Sequence, residues 1–391
     1  VDTVNFTKLT RDDAVNFQIL SRERLELGEE GPGTPTFDRN FFRDLEAEND
    51  LLAHLYPSLR GDVAAATREA GALHAASFAV HLADEAPRAV REARCGETLP
   101  GLDEMAKPGG ILLLGELHGT QEVPRFMARA VCQVAFEQVP VVLALELPVQ
   151  EQPALDAYLR SEGGPDDQRA LLMGAVWHRP RQDGRTSRAV LELIEHVRVL
   201  NRQGLPVSLL AFDSLTLQGN AHEQAMAERL LARRAKEKGS ALLVLTGNAH
   251  ASTERGTEWD PGLVPMGALL ARSDYRVRAL DVLYDAGQAW TCRLGEKGAL
   301  SCGIHPEDYH LPHTAHEAVY GAAYRRFDRE HRSELLAPFR LYGRDRFFIH
   351  GGQHPPRGFH GIFFITRPTA SPPADVLTLG TTPAPAASAS P

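Results

Sequence analysis

Two histidines, each three residues beyond a glycine that closes an apolar run, mark where this chain could do chemistry. Ile111-Leu112-Leu113-Leu114 leads into Gly115-Glu116-Leu117-His118, and Ala241-Leu242-Leu243-Val244-Leu245-Thr246 leads into Gly247-Asn248-Ala249-His250. Between the copies, Val141-Val142-Leu143-Ala144-Leu145 delivers Glu146. Glu116 and His118 are two positions apart, so an extended backbone turns both side chains to one side, within reach of a common ligand. A carboxylate ending an apolar strand must be paired, hydrogen-bonded or metal-bound, because burying it alone is very costly. Imidazole beside carboxylate is the pairing that takes a proton from water or helps to hold a divalent ion. The pattern nominates Glu116, His118, Glu146 and His250 as catalytic residues. The same four, with the Asp213 that follows the run Val207 to Phe212, are the candidate metal ligands.

Weaker candidates surround these. His178 and Arg179 follow Trp177, and His222 and Glu223 lie near the start of a helical stretch; an exposed polar residue is the default reading of each. Arg125 could pair with Glu146 or, like Arg179, anchor a carboxylate or phosphate of a substrate. His350, His354 and His360 are interleaved with Gly and Pro, lack the spacing of a structural zinc site, and read as a loop over the cleft. The sequence holds no Gly-x-Ser-x-Gly elbow, His-Glu-x-x-His, Walker loop or Cys-x-x-Cys-His haem attachment, and no Gly-x-Gly-x-x-Gly in a βαβ context. Covalent serine hydrolysis of the elbow type is thereby disfavoured.

Apolar runs without polar alternation are strands covered on both faces. From Gly109 to Leu283 they alternate with helical stretches at 121–138, 151–160, 187–203 and 221–238. The expected fold is α/β, with a mainly parallel or mixed central sheet, helices on both faces and an N-terminal helical region. Open sheets of this kind bind ligands beyond the carboxyl ends of their strands, where both histidines fall. The chain divides into a helical region or cap over 1–107, a core over 108–367 and a Pro/Ala/Ser-rich tail over 368–391, read as extended or disordered. Within the cap, helices are expected from Thr10 to Leu27, from Phe41 to Leu55 and between Asp62 and Arg94. Strands at Arg276–Tyr284, Ala289–Cys292 and Gly361–Thr366, and a short helix at Arg329–Leu336, complete the core.

A net charge of -9, from 51 acidic against 42 basic residues, supplies no electrostatic reason for nucleic-acid binding. No run approaches the roughly 20 apolar residues that span a bilayer. Cys292 and Cys302 flank a Gly-containing turn and could face each other across a hairpin. Cys95 and Cys132 lie in helical context and read as small buried apolar groups. The start at Val1 and the uncharged tail favour a secreted or periplasmic protein over a cytoplasmic one, and the even cysteine count permits that reading.

The segments Leu112 to His118, Ala144-Leu145-Glu146 and Leu245 to His250 resemble the erythromycin-esterase, ChaN-like haem-binding and TIKI–TraB superfamily. There, two Gly-x-x-His motifs and a strand-end glutamate build one site over an α/β core. Met226-Ala227, Met266-Gly267 with Leu270, and the strand Gly361 to Thr366 fit the same pattern. His360-Gly361 stands where an aspartate-containing turn is often seen. The resemblance spans about residues 108–370 and implies several activities. An esterase branch hydrolyses a lactone with a histidine as general base, a TIKI branch resembles metal-dependent proteases, and a ChaN branch binds haem. Carried over, it implies a hydrolase of an ester, lactone or amide bond in a small molecule or peptide. His118, or a metal it helps hold (Mn, Zn or Fe), would activate water. Glu116 and Glu146 would orient it, and His250 would stabilise the oxyanion or protonate the leaving group. The alternative is a haem or metal-ligand binding protein without turnover.

Overall fold

The computed structural model describes residues 94–257, 260–274, 276–294, 300–308, 347–351 and 358–374. The expected helices before Arg94, the helix at 329–336, His354 and the chain beyond Ala374 lie outside them. Seven strands form the central sheet in the order β3-β2-β4-β1-β5-β9-β8. They are β1 (Ile111–Glu116), β2 (Val141–Pro148), β3 (Val207–Asp213), β4 (Ala241–Gly247), β5 (Val277–Leu283), β8 (Phe348–His350) and β9 (Gly361–Phe364). Every neighbouring pair is parallel except β8 with β9. The two repeated motifs are adjacent strands, pairing in register from Ile111 with Leu242 to Glu116 with Gly247. β2 flanks β4 on the other side, so three chemistry-bearing strand ends stand side by side.

Alternation along each strand sends side chains to opposite faces, and each face buries a separate cluster. Leu112, Leu114, Leu143 and Leu145 pack with Phe126, Ile194 and Val197 on one face. These come from α2 (Glu122–Phe136) and α5 (Arg188–Arg202), with α3 (Gln152–Arg160) and α4 (Pro165–Leu172) beside them. Ile111, Leu113, Val142 and Val244 pack on the other face with Met226 and Leu230 of α6 (Gly219–Lys236) and Met266 and Leu270 of α8 (Met266–Ser273). Two-sided burial is why the strands read as continuous apolar runs. Each such Leu, Ile or Val contributes about 1.5–3 kcal/mol. Gly247 leads directly into the single turn α7 (Asn248–Ala251), which carries His250.

Ahead of the sheet, α1 (Leu102–Met105) joins the core through Leu99, Leu102 and Ala106. The readings of Cys95 and Cys132 as free buried groups are corrected: they form a disulfide that ties this segment to α2. Partners separated by 37 positions leave no local signal in the sequence. The hairpin expectation holds: β6 (Gly287–Leu294) pairs antiparallel with β7 (Leu300–Glu307), and Cys292 stands opposite Cys302, to which it is bonded. Strand β6 does not join β5 in a common sheet, although only Tyr284, Asp285 and Ala286 separate them.

Within the tail expected from 368, residues 369–374 pack against the core. Ala370 bridges Thr120 and Pro373 bridges Ser187, and Ser371 and Ala374 are buried. A segment rich in Pro and poor in charge looks like a linker by composition, yet its carbonyls can still accept bonds from neighbouring loops. Among the described residues, no helix is long and apolar enough to cross a membrane.

Candidate active site

The four nominated residues meet at the carboxyl ends of β1, β2 and β4. Glu116 Oε1 accepts from His118 Nδ1 at 2.8 Å. His118 Nε2 then lies 3.8 Å from Glu146 Oε2, and His250 Nε2 lies 3.8 Å from Glu146 Oε1. His250 Nδ1 is held at 2.7 Å by Glu223 Oε1, whose other oxygen accepts from the Met266 amide at 2.7 Å. Two imidazoles are thus each oriented through Nδ1 by a private carboxylate, and both turn Nε2 toward one shared carboxylate.

The motif glycines explain how two histidines can come so near. A methyl on Gly115 would sit 2.9 Å from the Asn248 Cα, and one on Gly247 would sit 3.1 Å from His118 Nε2. Each motif's glycine makes room for the other motif, a reciprocity available only because β1 and β4 are neighbours.

Glu146 is almost wholly buried and fully partnered. Its Oε2 accepts from Thr246 Oγ1 at 2.6 Å and from the Gly247 amide at 2.8 Å, while Oε1 accepts from Arg185 Nη1 at 2.7 Å. Burial pushes its pKa up, but His250, His118, Arg185 and the Thr246 bond outweigh that and hold it far below the usual carboxylate range. Arg185 is further clamped by Asp183, and its Nη1 lies 3.5 Å from Asp213 Oδ2. Asp213 also accepts a short bond from His222 Nε2, and the His222 and His250 rings meet edge to face with centroids 5.7 Å apart. Burial lowers the pKa of both site histidines, yet the carboxylates prevail: His118 is raised above 6.5 by Glu116 and Glu146, and His250 is raised to about 9 by Glu146 and Glu223.

Asp213 therefore belongs to the site, through Arg185 and His222. Glu223, one of the weaker candidates, proves to be the carboxylate that orients His250. Arg185 was missed, although a buried Glu146 demanded a cation and the Arg179 to Arg188 stretch is rich in them. Arg125 does not supply it; it bonds Gln121 on the exposed face of α2. His178 is exposed. His360 accepts from the Ala279 amide through Nδ1, and burial beside Arg278 lowers its pKa to about 4. It closes the β5–β9 junction and is not a site residue. His350, buried in β8, belongs to the same edge of the sheet.

A metal centre built from Glu116, His118, Glu146, Asp213 and His250 does not fit this arrangement. The Arg185 guanidinium already bridges Glu146 and Asp213, so the positive charge a divalent ion would bring is supplied by the protein. Among the described residues, no three His, Cys, Asp or Glu side chains form a cation-binding group. Beside Glu146 and Arg185 lies a small cavity of about 10 Å³, room for about one water, bordered by Arg179, Arg181, Asp183 and Asp213.

Neither the family models nor the curated proteins give a match. Among solved structures, a histidine-to-asparagine variant of an erythromycin esterase in its open conformation is similar at 11% identity and a TM-score of 0.48, covering 67% of this chain and 92% of that one. A Bacillus cereus protein is similar at 13% identity and 0.46, covering 70% and 92%. A succinoglycan biosynthesis protein follows at 12% identity and 0.45, covering 72% and 98%.

Proposed function

We propose that this protein is a metal-independent hydrolase of an ester, lactone or amide bond. One observation carries the reading: His118 and His250, each fixed by its own carboxylate, turn Nε2 to opposite oxygens of Glu146 at the same 3.8 Å. Neutral His118, its tautomer set by Glu116, takes a proton from water through Nε2 as the hydroxyl oxygen adds to the carbonyl carbon. His250, charged below about pH 9, stabilises the oxyanion and then gives its proton to the departing alkoxide or amine. Acid and alcohol or amine leave, and the proton held on His118 passes to His250 through solvent. Glu146 holds both imidazoles in place and stays ionised throughout.

Arg179 and Arg181 border the cavity beside Glu146, and the charge of Arg179 also acts on Glu151. They suit a substrate carrying a carboxylate or phosphate near the scissile bond. The two disulfides support a site of action outside the reducing cytoplasm, in a secreted or periplasmic setting.

The test is a panel of aryl esters, lactones and anilides, each in neutral and carboxylate-bearing form, assayed with chelator present. Turnover that survives chelation and is lost in His118→Asn supports the reading, whereas turnover that needs added metal, or none from any substrate, overturns it. R179A/R181A should lower kcat/KM for the anionic members by about 10-fold relative to the neutral ones, equivalent to about 1.4 kcal/mol.

A further inference from the structure

Residues 369–374 run between the turn that carries His118 and the turn that carries Arg185, and they are bonded to both. On the first side the Gln121 amide donates to the Thr369 carbonyl at 2.9 Å, and the Ser371 amide donates to the Gly119 carbonyl at 2.8 Å. On the second, the Arg188 amide donates to the Pro372 carbonyl at 2.8 Å, and the Ala374 amide donates to the Thr186 carbonyl at 2.9 Å. Ser371 is the residue that engages both sides, because its Oγ accepts from the Ala189 amide at 2.9 Å while its own amide holds Gly119.

We propose that Ser371 is a positioning residue, at the centre of a strap that sets the spacing between the His118 turn and the Arg185 turn. The two turns touch backbone to backbone. A methyl added to Gly184 would fall 2.4 Å from the Gly119 nitrogen, so no side chain lies between them to absorb slack. The Gly119 carbonyl accepts from the Trp290 amide of β6 at 2.9 Å as well as from Ser371, which makes it the junction of three separate stretches of chain. Gly119 itself has φ of 76°, which permits this approach at no steric cost. Pro372 and Pro373 fix their own φ and offer only carbonyls, so the strap is stiff and its bonding pattern has few alternatives. Ser371 is 1% exposed, its amide donates and its Oγ accepts. Alanine there leaves the Ala189 amide unsatisfied at the start of α5, next to the turn that holds Arg185.

The inference concerns geometry and stands apart from the hydrolase reading. It is tested on the full chain by hydrogen–deuterium exchange and by the NMR signal of the Arg185 Nε–H, which donates to Asp183. In Ser371→Ala, amide exchange over 117–120 and 184–189 should quicken by at least 10-fold and the Arg185 signal should move. Exchange in β1 and β4 should match the parent. A chain stopped after Ala374 should behave as the parent, and one stopped after Pro368 as Ser371→Ala or worse. Unchanged exchange at both turns in Ser371→Ala overturns the proposal. So does loosening spread evenly over the sheet, which would mark a stability role alone. If the shorter stop fails to fold, Ser371→Ala decides. Where a hydrolysed substrate is in hand, the variant should lower kcat and spare KM. Since exchange and NMR need no substrate, absence of turnover would count against the hydrolase reading only.

Discussion

Gly247 ends β4 against the imidazole of His118, close enough that a single methyl group on its Cα would reach within 3.1 Å of Nε2. The backbone of the second motif is thus one wall of the pocket that holds the first motif's histidine. Gly247→Ala should leave the fold intact, because only a side-chain tip has to give. His118 would be pushed off its line to Glu146, and turnover should fall by about 10- to 100-fold, some 1.4–2.8 kcal/mol. Parallel circular dichroism and steady-state kinetics check this. A variant with unchanged kcat/KM would show that His118 tolerates displacement.

Activity and stability should peak at different pH. Turnover needs neutral His118, whose pKa lies above 6.5, and charged His250, whose pKa is about 9. The rate profile should therefore be bell-shaped, with its acid limb above 6.5 and its alkaline limb near 9. Stability runs the other way at high pH. A raised histidine contributes fully below 6.5 and is lost as pH climbs through 9, whereas the lowered Glu146 contributes above 4.5 and is lost in acid. Melting temperature should be greatest between about 4.5 and 6.5 and should decline through the activity optimum. A melting temperature flat from 6.5 to 9 would contradict the assigned charges.

Removing Arg185 should be worse than removing any exposed arginine. Arg185→Met leaves Glu146 buried without its guanidinium, at a cost of about 3–5 kcal/mol where no other cation compensates. His118 and His250 offset part of that, so the loss should deepen as pH rises past 9 and His250 discharges. Urea unfolding at pH 6 and pH 9.5 measures the difference. Equal losses at both would mean that the imidazoles do not share the carboxylate's charge.

The Cys95–Cys132 bridge should matter for stability and little for chemistry. It closes a loop of 37 positions that contains β1 but bonds to no site residue, and its loss should cost about 2–4 kcal/mol. Cys95→Ser/Cys132→Ser should lower the urea midpoint while kcat stays within about twofold, a change of about 0.4 kcal/mol in barrier. A collapse of kcat would tie the first described segment to the site.

The strands and the meeting of Glu116, His118, Glu146 and His250 were legible because continuous apolar runs admit few placements, and a Gly-x-x-His motif repeated at two strand ends favours adjacency. What stayed hidden came from segments without a period. Arg185 sits in an irregular loop where several arginines compete, and choosing Arg125 followed helix position when the deciding fact was which loop folds over β2. Glu223 resembled an exposed helix-start residue, since nothing local says that α7 will lean on it. The strap from Thr369 to Ala374 carries linker composition, and only the coordinates reveal that its carbonyls face open donors at Gln121 and Arg188.

Glu146 has a further consequence for anyone dissecting this site one residue at a time. Because a single carboxylate answers to two rings and a guanidinium, protons on His118 and His250 are not independent, and a measured ionisation belongs to the ensemble and to no one member. Changing either histidine resets the electrostatic reference for the other, so paired replacements should depart from the sum of their separate effects. Kinetic roles assigned from isolated substitutions would misattribute that shared energy. Thermodynamic cycles through Glu146 are the unit in which the pair can be understood.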